Sequence, residues 1–297
     1  MRTAFGTDQG PRENLEDAVH IFAIKHLLVI AWEALVLMVL DGVGGHKGGG
    51  VASNLATTEI SAYLAAFLAA SRTLEDRSGF HPEVIIEALK QSLAWANEAV
   101  CERGQDSVEF NGMATTVVCG VIVDERLYLA WAGDSRCYLH RRTSLRQLTR
   151  DHKEIEQLID VGLISREEAS THPLAHSITR YLGHPSGFAA STMICDLQPG
   201  DVLLMCSDGL TDVLGNRQIA ETINACRVGH IPFEELPRHL IRQALEAGTG
   251  DNVTVLCCEY QPDGGLPRSS INQARTAAYP LAAGGVFPGL FKETCNE

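Results

Sequence analysis

Five short acidic stretches hold the residue types that could do chemistry: "TDQGPRENLED" from Thr7, "VLDGVGG" from Val39, "WAGDSR" from Trp131, "MCSDGLTD" from Met205 and "GDNVTV" from Gly250. In three of them an apolar run stops at an aspartate followed by Gly or Ser: Asp41-Gly42, Asp134-Ser135 and Asp208-Gly209. Strand ends that each deliver one carboxylate can converge on a point, and Asp251, which precedes an apolar run, reaches the same edge if the sheet is antiparallel. One Asp-Gly pair alone is a common turn. Five acidic stretches together differ, because carboxylates gathered at one place repel unless a cation neutralises them. An oxygen-only donor set points to Mg²⁺ or Mn²⁺ rather than zinc. After Asp41 the sequence carries six glycines in residues 42–50, which lets the backbone pass close to a metal or a phosphate.

The elements that must position these residues are legible as apolar runs. Strands are expected at Ala18 to Ile24, Leu35 to Leu40, Thr115 to Val123, Leu127 to Trp131, Asp201 to Cys206 and Asn252 to Glu259, many continuously apolar as in strands covered on both faces. The third and fourth, joined by Asp124-Glu125-Arg126, read as a hairpin. Helical periodicity marks a helix starting near Val51 and a second one in which Ile85, Leu89, Leu93, Ala96 and Val100 share a face. Two more helices are expected at Asn216 to Cys226 and Phe233 to Ala247. Strands alternating with helix pairs indicate a layered α+β domain. The polar stretch about 148–187 reads as a short-helical surface insertion near the site, and residues 261–297, rich in Pro, Gly, Ala and Ser, as a poorly ordered tail.

Composition narrows the class. A chain of 297 residues, 45% hydrophobic and 21% charged, has the make-up of a soluble globular protein with one large domain and a tail. Its net charge of -13 disfavours nucleic acid, whose phosphates attract a surplus of Lys and Arg. The nine cysteines sit mostly in strand-like runs without C-x-x-C spacing, as buried thiols of a reducing compartment do, so a cytoplasmic location is expected. The polar, acidic N-terminus does not read as a signal peptide. Ile21 to Leu40 is long enough to span a membrane, but Lys25, His26 and Glu33 within it make two adjacent core strands the better reading. The connection from Ile24 to Leu35 lacks Gly, Pro or Asn on which to turn, and how it turns stays open, a helical or extended hydrophobic patch used for docking being one reading.

Taken in order, "TDQGPRENLEDAV", "VLDGVGGHKGG", "GMATTVV", "WAGDSRCYL", "LTRDH", "LLMCSDGLTDVL" and "GDNVTVL" resemble the motif series of the metal-dependent serine/threonine protein phosphatases of type 2C, in the bacterial form, from about Thr7 to Cys258. The resemblance implies a four-layer α-β-β-α sandwich with two central antiparallel sheets, and a two-metal site at one edge. It implies that Asp41 bridges the metals, with the Gly42 carbonyl on one ion and Asp208 and Asp251 on the other. Glu16 and Asp17 would hold metal-bound waters, and Asp134 with Asp208 would form a third metal position. Arg12 would bind the substrate phosphate, its planar fork matching two phosphoryl oxygens. The implied reaction is hydrolysis of phosphoserine and phosphothreonine on proteins by a metal-bound hydroxide, opposing a Ser/Thr kinase. Residues 1–260 would be the catalytic domain, with the insertion as its flap.

Two histidines stay open. His46 is either the proton donor to the leaving alkoxide or a loop residue facing solvent, and a metal-bound water could serve instead. In the flap, "HPLAH" has Ala175 where the family carries Arg, and His176 is either a ligand of the third metal or a plain flap residue. A side chain at Gly42 or Gly44 is expected to disturb metal binding more than folding. Two other functions compete: a pseudophosphatase acting as a binding module, and a phosphatase for a small metabolite, which would need a closed pocket.

Overall fold

The computed structural model describes residues 1–26, 32–43, 48–70, 81–106, 108–169, 172–185 and 188–261. Ten strands form two five-stranded sheets. The first contains β1 (Arg2–Asp8), β8 (Arg136–Arg141), β9 (Ser144–Gln147), β11 (Val202–Cys206) and β12 (Val253–Glu259), in the order β1-β12-β11-β8-β9. The second contains β2 (Ala18–His26), β3 (Trp32–Leu40), β6 (Val117–Val123), β7 (Arg126–Ala132) and β10 (Ser191–Asp196), in the order β10-β7-β6-β3-β2. Every pairing in both is antiparallel. A short extra pair, β4 (Gly42–Val43) with β5 (Ala114–Thr115), sits just beyond Asp41.

The sequence dictates the layering through β3. Its residues alternate between two cores: Leu35, Leu37 and Val39 pack between the sheets with Met205, Leu203 and Leu256, while Val36, Met38 and Leu40 pack outward against helices. A continuous apolar run is what a strand buried on both faces requires. The outward helices are α1 (Gly48–Ala70) and α2 (Pro82–Gln105), whose Ile85, Leu89, Leu93, Ala96 and Val100 face the sheet. On the opposite face α6 (Asn216–Arg227) and α7 (Leu236–Glu246) cover the first sheet through Ile219, Ile223, Leu240 and Ile241. The result is the four-layer α-β-β-α sandwich that the resemblance implies.

Two differences from the sequence reading have physical causes. Between β2 and β3 the connection is shorter than Ile24 to Leu35, since both strands continue until His26 pairs with Trp32. Lys25 stands opposite Glu33 in that register, so the polar residues that look like a break are rungs of one ladder. Residues 27–31 lie outside the described residues. Strands β1, β8, β9 and β10 were not among the expected runs, and three of them lie at sheet edges, where one flank needs no apolar cover. In the insertion, α3 (Glu154–Asp160) and α4 (Arg166–Ala169) are the short helices. The tail from residue 262 lies outside the described residues, as do Gly44 and His46.

The described cysteines are free thiols, five of them buried in this core. Burial pushes Cys119, Cys206 and Cys258 up to about 12, and raises Cys137 and Cys257 as well. Among the described residues no helix is long and apolar enough to cross a membrane.

Candidate metal centre

Antiparallel pairing carries the acidic residues to one end of the sandwich. Asp41 follows β3 directly, Asp17 precedes its partner β2, and Asp134 follows β7. In the facing sheet Asp208 follows β11 and opens α5 (Asp208–Thr211), while Asp251 lies just ahead of β12, which runs the other way. The expected convergence of Asp17, Asp41, Asp134, Asp208 and Asp251 is thus brought about by topology, and their charges act on one another.

Short polar side chains hold the loops in place. Thr116 Oγ1 accepts from the Asp41 amide (3.1 Å) and shares a 2.7 Å hydrogen bond with Ser135 Oγ, joining the Asp41 and Asp134 loops. Ser207 Oγ donates to Asp17 Oδ2 at 2.8 Å and accepts from the Thr254 amide at 2.9 Å. Asn252 ties the first acidic loop down: Nδ2 donates to the carbonyls of Gln9 and Asn14, and Oδ1 accepts from the Glu16 amide. These partners were not singled out in the sequence, although each lies inside a quoted motif.

Close approach explains two glycines. A Cβ on Gly42 would stand 2.5 Å from the Gly49 backbone and 2.7 Å from the Glu16 carbonyl, so a side chain there would displace helix α1 as well as the metal loop. Folding and metal binding would therefore suffer together, which revises the expectation for that position. At Gly209 a Cβ would strike the Asn252 carbonyl, backbone against backbone. Gly209→Ala is expected to cost about 2 kcal/mol and to weaken Mn²⁺ binding, because it pries Asp208 away from Asp251. A thermal melt and a Mn²⁺ titration check both.

The electrostatics are those of an uncompensated acidic nest. Burial raises Asp17 to about 6, with Asp251 adding to the shift. Asp208 rises to about 8 through burial and then through Asp134 and Asp212. Half-buried Asp41 is pushed well above the ordinary carboxylate range by loss of water, then by Asp17, Asp208, Asp134 and Asp251. Asp17 Oδ1 and Asp208 Oδ1 are sealed from solvent without a hydrogen-bond partner. Orphaned carboxylate oxygens amid repelling neighbours fit hard divalent cations. Among the described residues no three His, Cys, Asp or Glu side chains close as ligands on a single ion.

The chain's own cations stand at two of the carboxylates. Arg12 Nη2 lies 2.6 Å from Asp251 Oδ2 and its Nε donates to the Gly250 carbonyl at 2.9 Å, with the side chain 48% exposed. Lys153, which the sequence reading passed over inside "LTRDHK", puts Nζ 2.8 Å from Asp134 Oδ2. Glu16 packs its carboxylate against Gly49 at the start of α1. His176 in the insertion is exposed, its Nδ1 3.8 Å from Asp212 Oδ2. Asp212, the last residue of "MCSDGLTD", is a further carboxylate of the group, raised by burial.

Known proteins resemble this chain in sequence and in fold. The family profile described as Protein phosphatase 2C matches residues 13–243. The serine/threonine phosphatase stp of Listeria monocytogenes is 31% identical over 260 residues, 87% of this chain and 96% of that protein. The crystal structure of the Mycobacterium tuberculosis serine/threonine phosphatase PstP/Ppp superposes with a TM-score of 0.70 at 32% identity, over 88% of this chain and 98% of that one. A structure of the PstP catalytic domain in complex with 2 manganese ions gives a TM-score of 0.67 at 30% identity, over 87% and 97% of the two chains. Strand-end aspartates, a four-layer sandwich and these likenesses agree that the chain belongs to the protein phosphatase 2C family.

Proposed function

We propose that this chain removes phosphate from phosphoserine and phosphothreonine on proteins, with Mn²⁺ or Mg²⁺ held by Asp41, the Gly42 carbonyl, Asp208 and Asp251, and with Asp17 and Glu16 beside them. The observation that carries this reading is the set of strand-end carboxylates with two sealed, unpartnered oxygens. Residues 1–260 act as the catalytic domain and about 148–187 as its flap. When bound, the metals neutralise charge on the transferring phosphoryl group and lower the pKa of a water.

The chain's residues set the geometry. Arg12 is exposed at the mouth of the site, on the 9–16 loop that Asn252 fixes, and its fork can turn from Asp251 to two phosphoryl oxygens. Ser207 holds Asp17 by one oxygen and leaves the other buried without a partner. Thr116 and Ser135 keep the Asp41 and Asp134 loops in fixed relation, so the carboxylates are preorganised before substrate arrives.

A protein substrate is favoured over a small metabolite by the open groove of about 550 Å³ beside Glu16, lined by Asn14, Leu15, Val51, Asn54 and Leu55. Such a groove suits the flanks of a peptide rather than an enclosed ligand. The partner is a Ser/Thr kinase whose products the chain reverses, in the cytoplasm, where free thiols stay reduced. The decisive experiment is turnover of a phosphothreonine peptide with Mn²⁺ and with chelator. Hydrolysis is expected with the metal and none with chelator, whereas a metal-loaded protein inert on this peptide and on an unrelated aryl phosphate would leave only the binding-module reading.

A further inference from the structure

Lys153 is the one lysine that the fold drives into the acidic end of the sandwich, among the described residues of the site. Its side chain is 8% exposed and that of its partner Asp134 6%. A buried ammonium is costly unless paired, so a lysine placed here serves the carboxylates around it. Of those, Asp151 is already engaged by Arg136, through Nε at 2.9 Å and Nη2 at 2.7 Å. The ammonium is left to Asp134, with Asp208 and Asp212 near enough to feel it.

The backbone leaves Lys153 little choice of place. The His152 amide donates to the Gly133 carbonyl at 2.9 Å, one residue before Asp134. On the other flank Thr179 N donates to the His152 carbonyl at 2.7 Å and Glu154 N to the Ser177 carbonyl at 2.9 Å, with Lys153 and Ile178 forming a β-bridge. Residues 152–154 are clamped between the Asp134 loop and residues 177–179, and the extended Lys153 (φ −111°, ψ 146°) projects its stem from that clamp.

We propose that Lys153 is a resident cation which takes the place of a metal ion at Asp134, so that this chain binds two divalent ions and no third. A tethered ammonium is present at high effective concentration and gives up little entropy on pairing, whereas a free ion must displace it and then sit beside a like charge. Lys153 thereby positions Asp134, and its clamp links that carboxylate to the flap.

The inference rests on the metal-dependent reading of the site, and counting ions separates the two. Free Mn²⁺ is followed by electron paramagnetic resonance during titration of wild type, Asp134→Asn, Lys153→Ser and the double variant. Wild type and Asp134→Asn are expected to bind two ions each. Lys153→Ser is expected to bind a third, which the double variant loses. Three ions on wild type, falling to two in Asp134→Asn, would overturn the inference even if Lys153→Ser did not fold, and so would a folded Lys153→Ser that still binds two. A wild type that binds none would overturn the metal-dependent reading itself.

Discussion

Asp208→Asn is expected to lower kcat/KM on a phosphothreonine peptide with Mn²⁺ by about a hundredfold to a thousandfold, in a protein that still folds. Asp208 opens α5 immediately after β11, its Oδ1 sealed from water and without a partner. An ion there would draw on a full negative charge at that oxygen, and the amide supplies only a dipole. In the metal-free protein a carboxyl raised to about 8 is mostly neutral near pH 7, so the neutral amide replaces it without loss of a stabilising charge and the metal-free variant should melt no lower than wild type. Activity retained by the variant would remove Asp208 from the metal centre. A variant that is inactive and also unfolded would instead show that the residue serves the fold.

The second large effect is a pH dependence that metal reverses. A carboxylate whose folded pKa lies above its unfolded value near 3.8 favours the folded state while protonated, and that stability is lost as pH rises through the folded value. Asp17, at about 6, and Asp208, at about 8, both have this sign. His152 has the opposite effect, since burial lowers it to about 4 and destabilises the fold only below the ordinary histidine range. Between pH 7 and 9 the Asp208 change costs about 1 kcal/mol, and the raised Asp41 and core thiols add to it with the same sign. In chelator the Tm should therefore fall by at least roughly 2–4 °C over that window. With Mn²⁺ the trend should invert, because ion binding needs the ionised carboxylates and strengthens as they form. Differential scanning calorimetry at the two pH values, with and without metal, measures both slopes. A metal-free Tm that does not fall would mean that Asp208 is ionised in the free protein.

The layered fold and the acidic centre were both legible because each rests on local signals. Leu35 to Leu40 is apolar at every position, and a strand covered on two faces leaves no other trace; Asp41 ends it at the place where the glycines begin. What escaped depended on partners distant in sequence. Strand β1, "RTAFGTD", is half polar and acquires its identity only by pairing with β12 more than two hundred residues away. Lys153 looks like any lysine ahead of a polar helix. Its meaning arises from its bridge to Ile178 and from the bond of its neighbour His152 to Gly133, neither of which a one-dimensional pattern contains. Asn252 is a similar case, since it reads as the start of a strand and acts as the tie for a loop at the other end of the chain.

The core thiols set a limit on how this activity could be silenced. A phosphatase built on a reactive cysteine depends on a low-pKa thiolate, and peroxide or an alkylating reagent stops it at that atom. Here every cysteine among the described residues has its thiol raised, five of them inside the packed sheets, and none belongs to the acidic centre. During oxidative stress such a protein would keep erasing phosphate marks while thiol-dependent enzymes stall, and withdrawal of the metal rather than a thiol oxidant would stop it.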